Sequence, residues 1–295
     1  MSAIPVESPF KRFVEDFVRS PTAVIAAIGV LGITCVAVFA AQIAPQNPYD
    51  LAEINIMDGS LPPGSVGFDG FHYWLGTDEQ GRDMLSAMIY GLRISLSVSF
   101  VAVGSAVAIG MSLGMLAAWK GGRVEALIMR AVDIQLSFPA LLVALLLLAI
   151  LGKGIDKVII ALVLVQWAYF ARTVRGAALV EIRKDYVMAA RCLALQPMRI
   201  LFGHVLPNCL PPVIVIATVQ VANAIAIEAS LSFLGVGVPI TEPSLGLLIS
   251  NGFGYLLSGR YWISFYPGVV LLVTLVSINV VGDHVRDILN PRMQR

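Results

Sequence analysis

One carboxylate, Glu228, falls well inside an apolar run, and an ionisable group in such a place is expensive and often functional. Two readings stand for it: a group lining a pore, or a group near the end of a span, hydrogen-bonded to a neighbouring helix or to another subunit. The remaining chemistry-bearing residues do not assemble. His72, His204 and His284 are scattered without metal-ligand spacing. No Ser, His and acid cluster at one depth as a hydrolase would need. No glycine-rich loop ends in Gly-Lys-Ser or Gly-Lys-Thr, so the chain has no phosphate cradle of its own and nucleotide energy must come from another polypeptide. Gly235 and Gly237 are too few to replace one. Cys35 and Cys209 lie in or beside apolar runs and Cys192 in a charged stretch, which implies no disulfide framework. The expectation is a chain with no catalytic residues, no metal and no cofactor of its own.

Two polar stretches are built to touch something. The first runs from Arg183 to Asn208, RKDYVMAARCLALQPMRILFGHVLPN. Asp185 is placed to N-cap a helix from Tyr186 to about Leu195, and Pro197 breaks it because the residue before proline avoids helical geometry. Gln196 and Pro197 then start a second short helix through Phe202, and Pro207, Pro211 and Pro212 punctuate the return to the apolar chain. Two short helices joined at a bend make a compact knob. The second stretch lies within residues 42–93, rich in turn formers such as Pro45, Pro48, Pro62, Pro63, Gly59, Gly64, Gly67 and Gly70. There Thr77 can cap a helix while Gln80 reaches back, with Asp78 and Glu79 at the positive end of the dipole. Met84, Leu85, Met88 and Ile89 share a face, as expected for a helix lying at the membrane interface before the chain enters at Ile94. Thr77, Asp78, Gly81, Arg82 and Asp83 read as a structural elbow or as a docking surface for an external protein.

The elements that position these groups are apolar helices. The chain is 58% hydrophobic and 13% charged, with a mean hydropathy of +0.83, which is membrane-protein composition. A net charge of +1 spread over 295 residues offers no concentrated basic surface and argues against nucleic acid. Apolar runs approaching the ~20 residues needed to cross a bilayer lie near 22–41, 94–118, 139–151, 155–170, 210–234 and 264–281. Pro139 could instead sit inside a third span of 124–151, with the fourth then reaching 173. Gly104, Gly110 and Gly114 in the second span read as close helix packing. An uncleaved first helix fits residues 22–41 better than a signal peptide, since the run is long and further spans follow.

Basic loops resist translocation, so the Lys and Arg distribution orients the chain. With both termini in the cytosol, only Arg82, Arg93, Lys153, Lys157 and Arg260 of the 20 basic residues face out; Lys11, Arg12, Arg292 and Arg295 are among those inside. Asp50, Glu53, Asp58, Asp69, Asp78, Glu79 and Asp83 fall in the external cap. The layout is a cytoplasmic segment 1–21, a first span 22–41, a cap 42–93, a core 94–284 with the knob at 183–208, and a tail 285–295.

The Arg183–Asn208 stretch resembles the cytoplasmic EAA loop of binding-protein-dependent ABC importers, with Ala189, Ala190, His204, Leu206 and Pro207 matching the motif. Trp74–Leu96 (WLGTDEQGRDMLSAMIYGLRISL) resembles the segment that opens the pore domain in C-type permease subunits of dipeptide, oligopeptide and nickel importers. Similar blocks follow in family order: DIQLSFP at 133–139, WAYFARTVRG at 167–176, EASLSFLGVG at 228–237 and GDHVRDILNPR at 282–292. Five collinear blocks over six spans are highly specific.

The resemblance implies an all-α, six-span, type I importer transmembrane domain in a bacterial inner membrane. It implies half of a heterodimeric pore, partnered by a sibling permease, two ATPase subunits that hold ATP and Mg, and an extracytoplasmic binding protein. The knob, with Asp185, Tyr186, Met188, Ala189, Ala190, Arg191 and Ala194, would dock the ATPase, and peptides would be the cargo. Nickel or another small solute, an ion-gradient transporter and a scaffold without transport remain as alternatives. Two positions depart from the family: Met188 stands where Glu is usual and Ala194 where Gly is usual. Without Glu the capping box with Asp185 is lost, at about 0.5–1 kcal/mol. A left-handed Ala194 would cost about 1–2 kcal/mol, so Ala194 is expected to stay helical with the helix ending nearer Pro197.

Overall fold

The computed structural model describes residues 9–50 and 54–289. Expectations for residues 1–8, for Glu53 and for residues 290–295, including Arg292 and Arg295, lie outside the described residues. Helix α1 (Pro9–Val18) gives way to α2 (Pro21–Val38) at Ser20, whose hydroxyl accepts from the Ala23 amide while Pro21 takes the first turn, where its missing N–H costs nothing.

The cap follows α2. A two-residue hairpin pairs β1 (Ser65–Val66) with β2 (His72–Tyr73), antiparallel. Beneath it the Tyr73 hydroxyl donates to Asp58 Oδ2 at 3.1 Å. Burial, with the Asp58 carboxylate alongside, pushes the Tyr73 phenol up to about 12.

Helix α3 (Met84–Lys120) runs unbroken for 37 residues, about 55 Å, well beyond the ~30 Å of a bilayer core. The separate interfacial helix expected before Ile94 is therefore the outer part of one long helix. The reason is a partner: Met84, Ala87 and Met88 are buried against Leu248, Trp262 and Ile263 instead of lying on lipid.

The third apolar run is broken in two. Helices α4 (Gly122–Leu136) and α5 (Ala140–Leu151) meet at 93° across Ser137–Pro139. Pro139 lacks an N–H and disfavours helical geometry at Phe138, so it ends one helix and precedes the next and does not sit inside a longer one. Helix α6 (Ile155–Glu181) outruns its expected end, 170 or 173, by about two to three turns. It crosses α3 at small residues: a Cβ on Gly110 would lie 2.5 Å from the Trp167 carbonyl oxygen, and one on Gly114 2.5 Å from that of Ala171. Gly104 has no such neighbour, so the packing reading applies to the other two.

After the short helix α7 (Asp185–Cys192) comes α8 (Pro197–Phe233), which absorbs both the second knob helix and the fifth span. It passes through a wide turn at Leu201–Val205, and Pro211 and Pro212 lie inside it instead of interrupting it. Helices α9 (Leu245–Phe253) and α10 (Trp262–Leu289) complete the chain. Among the described residues, five helices are long and apolar enough to cross a membrane, and the bent α4–α5 pair makes a sixth if it is one span. The main core joins α3, α6 and α8 around Leu162, Phe170 and Ile225, all fully buried.

Candidate functional site

Packing and hydrogen bonds hold the knob at one end of the bundle. Helix α7 starts at Asp185 itself, with Lys184 in the capping position and no side-chain cap bond, so Asp185 is not the N-cap expected from sequence. Anchoring comes from Glu181 at the end of α6 instead. Its carboxylate accepts from Lys184 Nζ at 2.6 Å and from the Tyr186 hydroxyl at 2.6 Å. Asn208 Nδ2 donates to the Tyr186 oxygen at 3.3 Å and to the His204 carbonyl at 2.7 Å. Burial, then Glu181, pushes the Tyr186 phenol up to about 12. This Glu181–Tyr186–Asn208 chain was invisible in sequence because its members are 22 positions apart at the widest in hydrogen-bonded pairs and belong to three helices.

Val187 and Ala190 are buried in the same apolar cluster as Ile200, Leu201 and Val205, which fixes the angle between α7 and α8. Arg191 lies over the Trp119 ring, 5.2 Å from its centre, tying the knob to the end of α3. Met188, Ala189, Leu193 and Met198 face outward. Leu206 is half-buried and Pro207 exposed just after the wide turn.

Ala194 is left-handed, with φ +54, which overturns the expectation that it stays helical. The Leu195 amide donates to the Ala190 carbonyl at 3.2 Å and the Ala194 amide to that of Arg191 at 2.9 Å. These two bonds form a Schellman closure, which requires a left-handed residue between them. Satisfying those carbonyls and returning half-buried Leu195 to the core outweighs the strain at Ala194. Replacing Ala194 with Gly is therefore expected to raise stability by roughly 1 kcal/mol, read as a higher melting temperature of the purified chain. A lower melting temperature would mean that the gain in unfolded-chain entropy exceeds the strain relieved.

The cap residues Thr77, Asp78, Gly81, Arg82 and Asp83 are all buried. Thr77 does not cap a helix; its hydroxyl donates to the Asp58 carbonyl at 2.5 Å and accepts from the Leu61 amide at 2.7 Å. Asp78 accepts from Arg82 Nε at 2.6 Å and from the amides of Gln80 and Arg82. Asp83 is the true N-cap of α3, accepting from the Ser86 amide at 2.8 Å and hydroxyl at 2.6 Å. Gly81, at φ +79, leaves no room for a Cβ beside the Asn55 carbonyl. This geometry is that of the elbow, and these five residues are buried and not themselves a contact surface. Among the described residues of the cap, the most exposed apolar side chains include Ile56, Met57, Phe68 and Trp74.

Glu228 is fully buried. Its carboxylate accepts from the Ser95 hydroxyl of α3 at 2.7 Å and from Ser232 at 2.8 Å, with Ser244 as a further partner. This is the arrangement of a group bonded to a neighbouring helix, near the cap end of α8. Among the described residues, no three His, Cys, Asp or Glu side chains are placed to hold a metal.

Three amides in the apolar spans, Gln166, Gln220 and Asn223, are brought together by the fold between α6 and α8. Their one available signal was an uncharged polar side chain in a run that otherwise reads as lipid-facing or core.

Residues 110–295 match the family described as binding-protein-dependent transport system inner membrane component, and residues 8–63 match the N-terminal TM domain of oligopeptide transport permease C. The chain is 38% identical over 289 residues to a dipeptide transport system permease protein of Escherichia coli, covering 98% of this chain and 95% of that one. It is 36% identical over 287 residues to a di/tripeptide transport system permease protein of Pseudomonas aeruginosa, covering 97% and 93%. Among solved structures, inward facing conformations of the MetNI methionine ABC transporter share the fold with a TM-score of 0.57 at 22% identity, over 70% of this chain and 97% of that one.

Proposed function

This chain belongs to the family of binding-protein-dependent transport system inner membrane components, and on that premise we propose that it passes short peptides through one half of a two-permease pore. It is a multi-pass permease subunit of an ABC importer. The peptide cargo is supported by relatives named for dipeptides and di/tripeptides at 36–38% identity over nearly the whole chain.

The observation that carries the mechanism is the knob. A short helix is fixed on one side by buried Val187 and Ala190 and by the Glu181–Tyr186 bond, and presents Met188, Leu193 and Met198 on the other. A surface that is apolar outside and rigid behind is suited to push against a partner, because force applied to it reaches α6 and α8 without bending the knob. The partner is an ATPase subunit on the cytosolic side, holding ATP and Mg. Closure of two such ATPases would move two knobs, this one and that of a sibling permease, and shift the pore between inward- and outward-facing states. Both termini then lie in the cytosol, and the cap with exposed Ile56, Met57, Phe68 and Trp74 faces a substrate-loaded binding protein.

The test is gentle-detergent purification of the tagged chain from its native membrane, with the stoichiometry of everything retained. One sibling permease and two ATPase subunits are expected. Recovery of this chain alone or as a self-dimer, even after crosslinking from positions 183–208, would overturn the reading.

A further inference from the structure

Near the middle of α6 and in the cap-side half of α8 the apolar lining gives way to uncharged polar side chains around a cavity of about 270 Å³. Gln166 and Asn223 stand about 15 Å from the cap ends of their helices, the midplane of a ~30 Å hydrocarbon layer. Gln166 Nε2 donates to the Gln220 carbonyl at 3.2 Å, and Asn223 Nδ2 donates to Gln220 Oε1 at 3.3 Å. Gln166 and Gln220 are buried, but Asn223 and Tyr169 are exposed, and Tyr169 and Ser230 line the same cavity.

Two features make this more than core filling. An exposed amide at mid-membrane is costly against lipid, so this face borders water, cargo or another subunit. And Gln166 Oε1 is buried with no hydrogen-bond partner, an acceptor left unused where unused acceptors are expensive.

We propose that Asn223, the exposed amide, hydrogen-bonds the peptide bond of the passing cargo at a mid-membrane station in which buried Gln220 and Gln166 position it, an inference that rests on the peptide-importer reading above. A peptide bond carries one donor and one acceptor and no charge, and carboxamides match both. No Asp, Glu, Lys or Arg lines the cavity, so the charge of the cargo's side chains is not selected there. The station therefore suits peptides of varied sequence. It also leads somewhere: Gln166, Tyr169 and Thr173 share one face of α6, and Thr173 lines a larger cavity of about 560 Å³ with Pro211, Pro212 and Arg286 toward the knob end.

The experiment uses the complete transporter, both permeases with ATPases and binding protein, in proteoliposomes, with dialanine as cargo. Asn223→Leu is expected to lower dialanine carried per ATP hydrolysed by about tenfold, with the concentration for half-maximal uptake unchanged and Asn223→Gln restoring most of the rate. Gln166→Leu should act in the same direction. An unchanged ratio in both leucine variants would overturn the proposal. So would loss of the sibling permease from purified Asn223→Leu, which would make the amides a contact between subunits. Failure of the wild-type transporter to import dialanine or any other short peptide would instead remove the peptide-importer reading itself, and the station with it.

Discussion

Leu193→Asp combined with Met198→Asp should abolish ATP-driven uptake while leaving the chain folded in the membrane. Leu193 is 75% and Met198 63% exposed, on either side of the left-handed turn at Ala194, so both point away from the packed face of the knob. Buried at a partner, each would contribute about 1.5–3 kcal/mol, and a carboxylate in the same apolar groove adds a desolvation cost. Anchors of this kind dominate docking energy, so a combined loss of about 3 kcal/mol or more weakens association at least 100-fold. The bundle should not notice. Val187, Ala190 and the Glu181–Tyr186–Asn208 chain lie on the other side and hold α7 in place without either residue. The measurement is uptake in proteoliposomes beside the amount of ATPase retained on the purified chain. Wild-type uptake with both aspartates present would mean that the ATPase does not dock on this face, and the mechanism proposed for the knob would fall.

The contrast between Leu193 and Ala194 shows what could be read in the chain. Span number, broad limits and the existence of a knob follow from apolar length and from prolines, because membrane thickness and backbone hydrogen bonding leave few alternatives. Local rules failed where a distant partner changed the balance. Ala propensity favours a helix at position 194, but closure of the helix end and the return of Leu195 to the core decide it. Thr77 and Gln80 have the spacing of a capping box, yet Asp83 caps α3 because Gln46, 37 positions earlier, holds the Asp83 amide through its side-chain carbonyl. Met84 and Met88 look interfacial until Trp262 and Ile263 arrive from the last helix to cover them. The candidate residues of the knob were legible as residues, and their anchoring was not, since Glu181 sits outside the motif that singles the knob out.

Glu228→Ala should lower stability by about 3 kcal/mol, and Glu228→Gln by about 1. The site is fully buried, and the carboxylate is the acceptor shared by Ser95 and Ser232 with Ser244 beside them. Removing it leaves hydroxyls from α3, α8 and the turn before α9 without that partner, at about 1–3 kcal/mol for each that stays unpaired. Serine can turn its hydroxyl to the carbonyl four residues earlier in a helix, which recovers part of the loss for Ser95 and Ser232 and keeps the total from reaching its ceiling. Ser244 precedes α9 and has no such carbonyl, and it already accepts from the Leu247 amide. Glutamine keeps one acceptor oxygen in nearly the same place but brings an N–H pair that must find its own partner. In melting temperature the alanine variant should fall by roughly 6–10 °C and the glutamine variant by no more than about 3 °C. Transport separates this role from a pore-lining one. A carboxylate that lined the path would make Glu228→Gln lose uptake at every cargo concentration with little change in melting. A carboxylate that joins α8 to α3 makes Glu228→Gln transport normally and Glu228→Ala fail through instability. The second pattern is the one expected, because no part of Glu228 reaches a surface from which cargo could touch it.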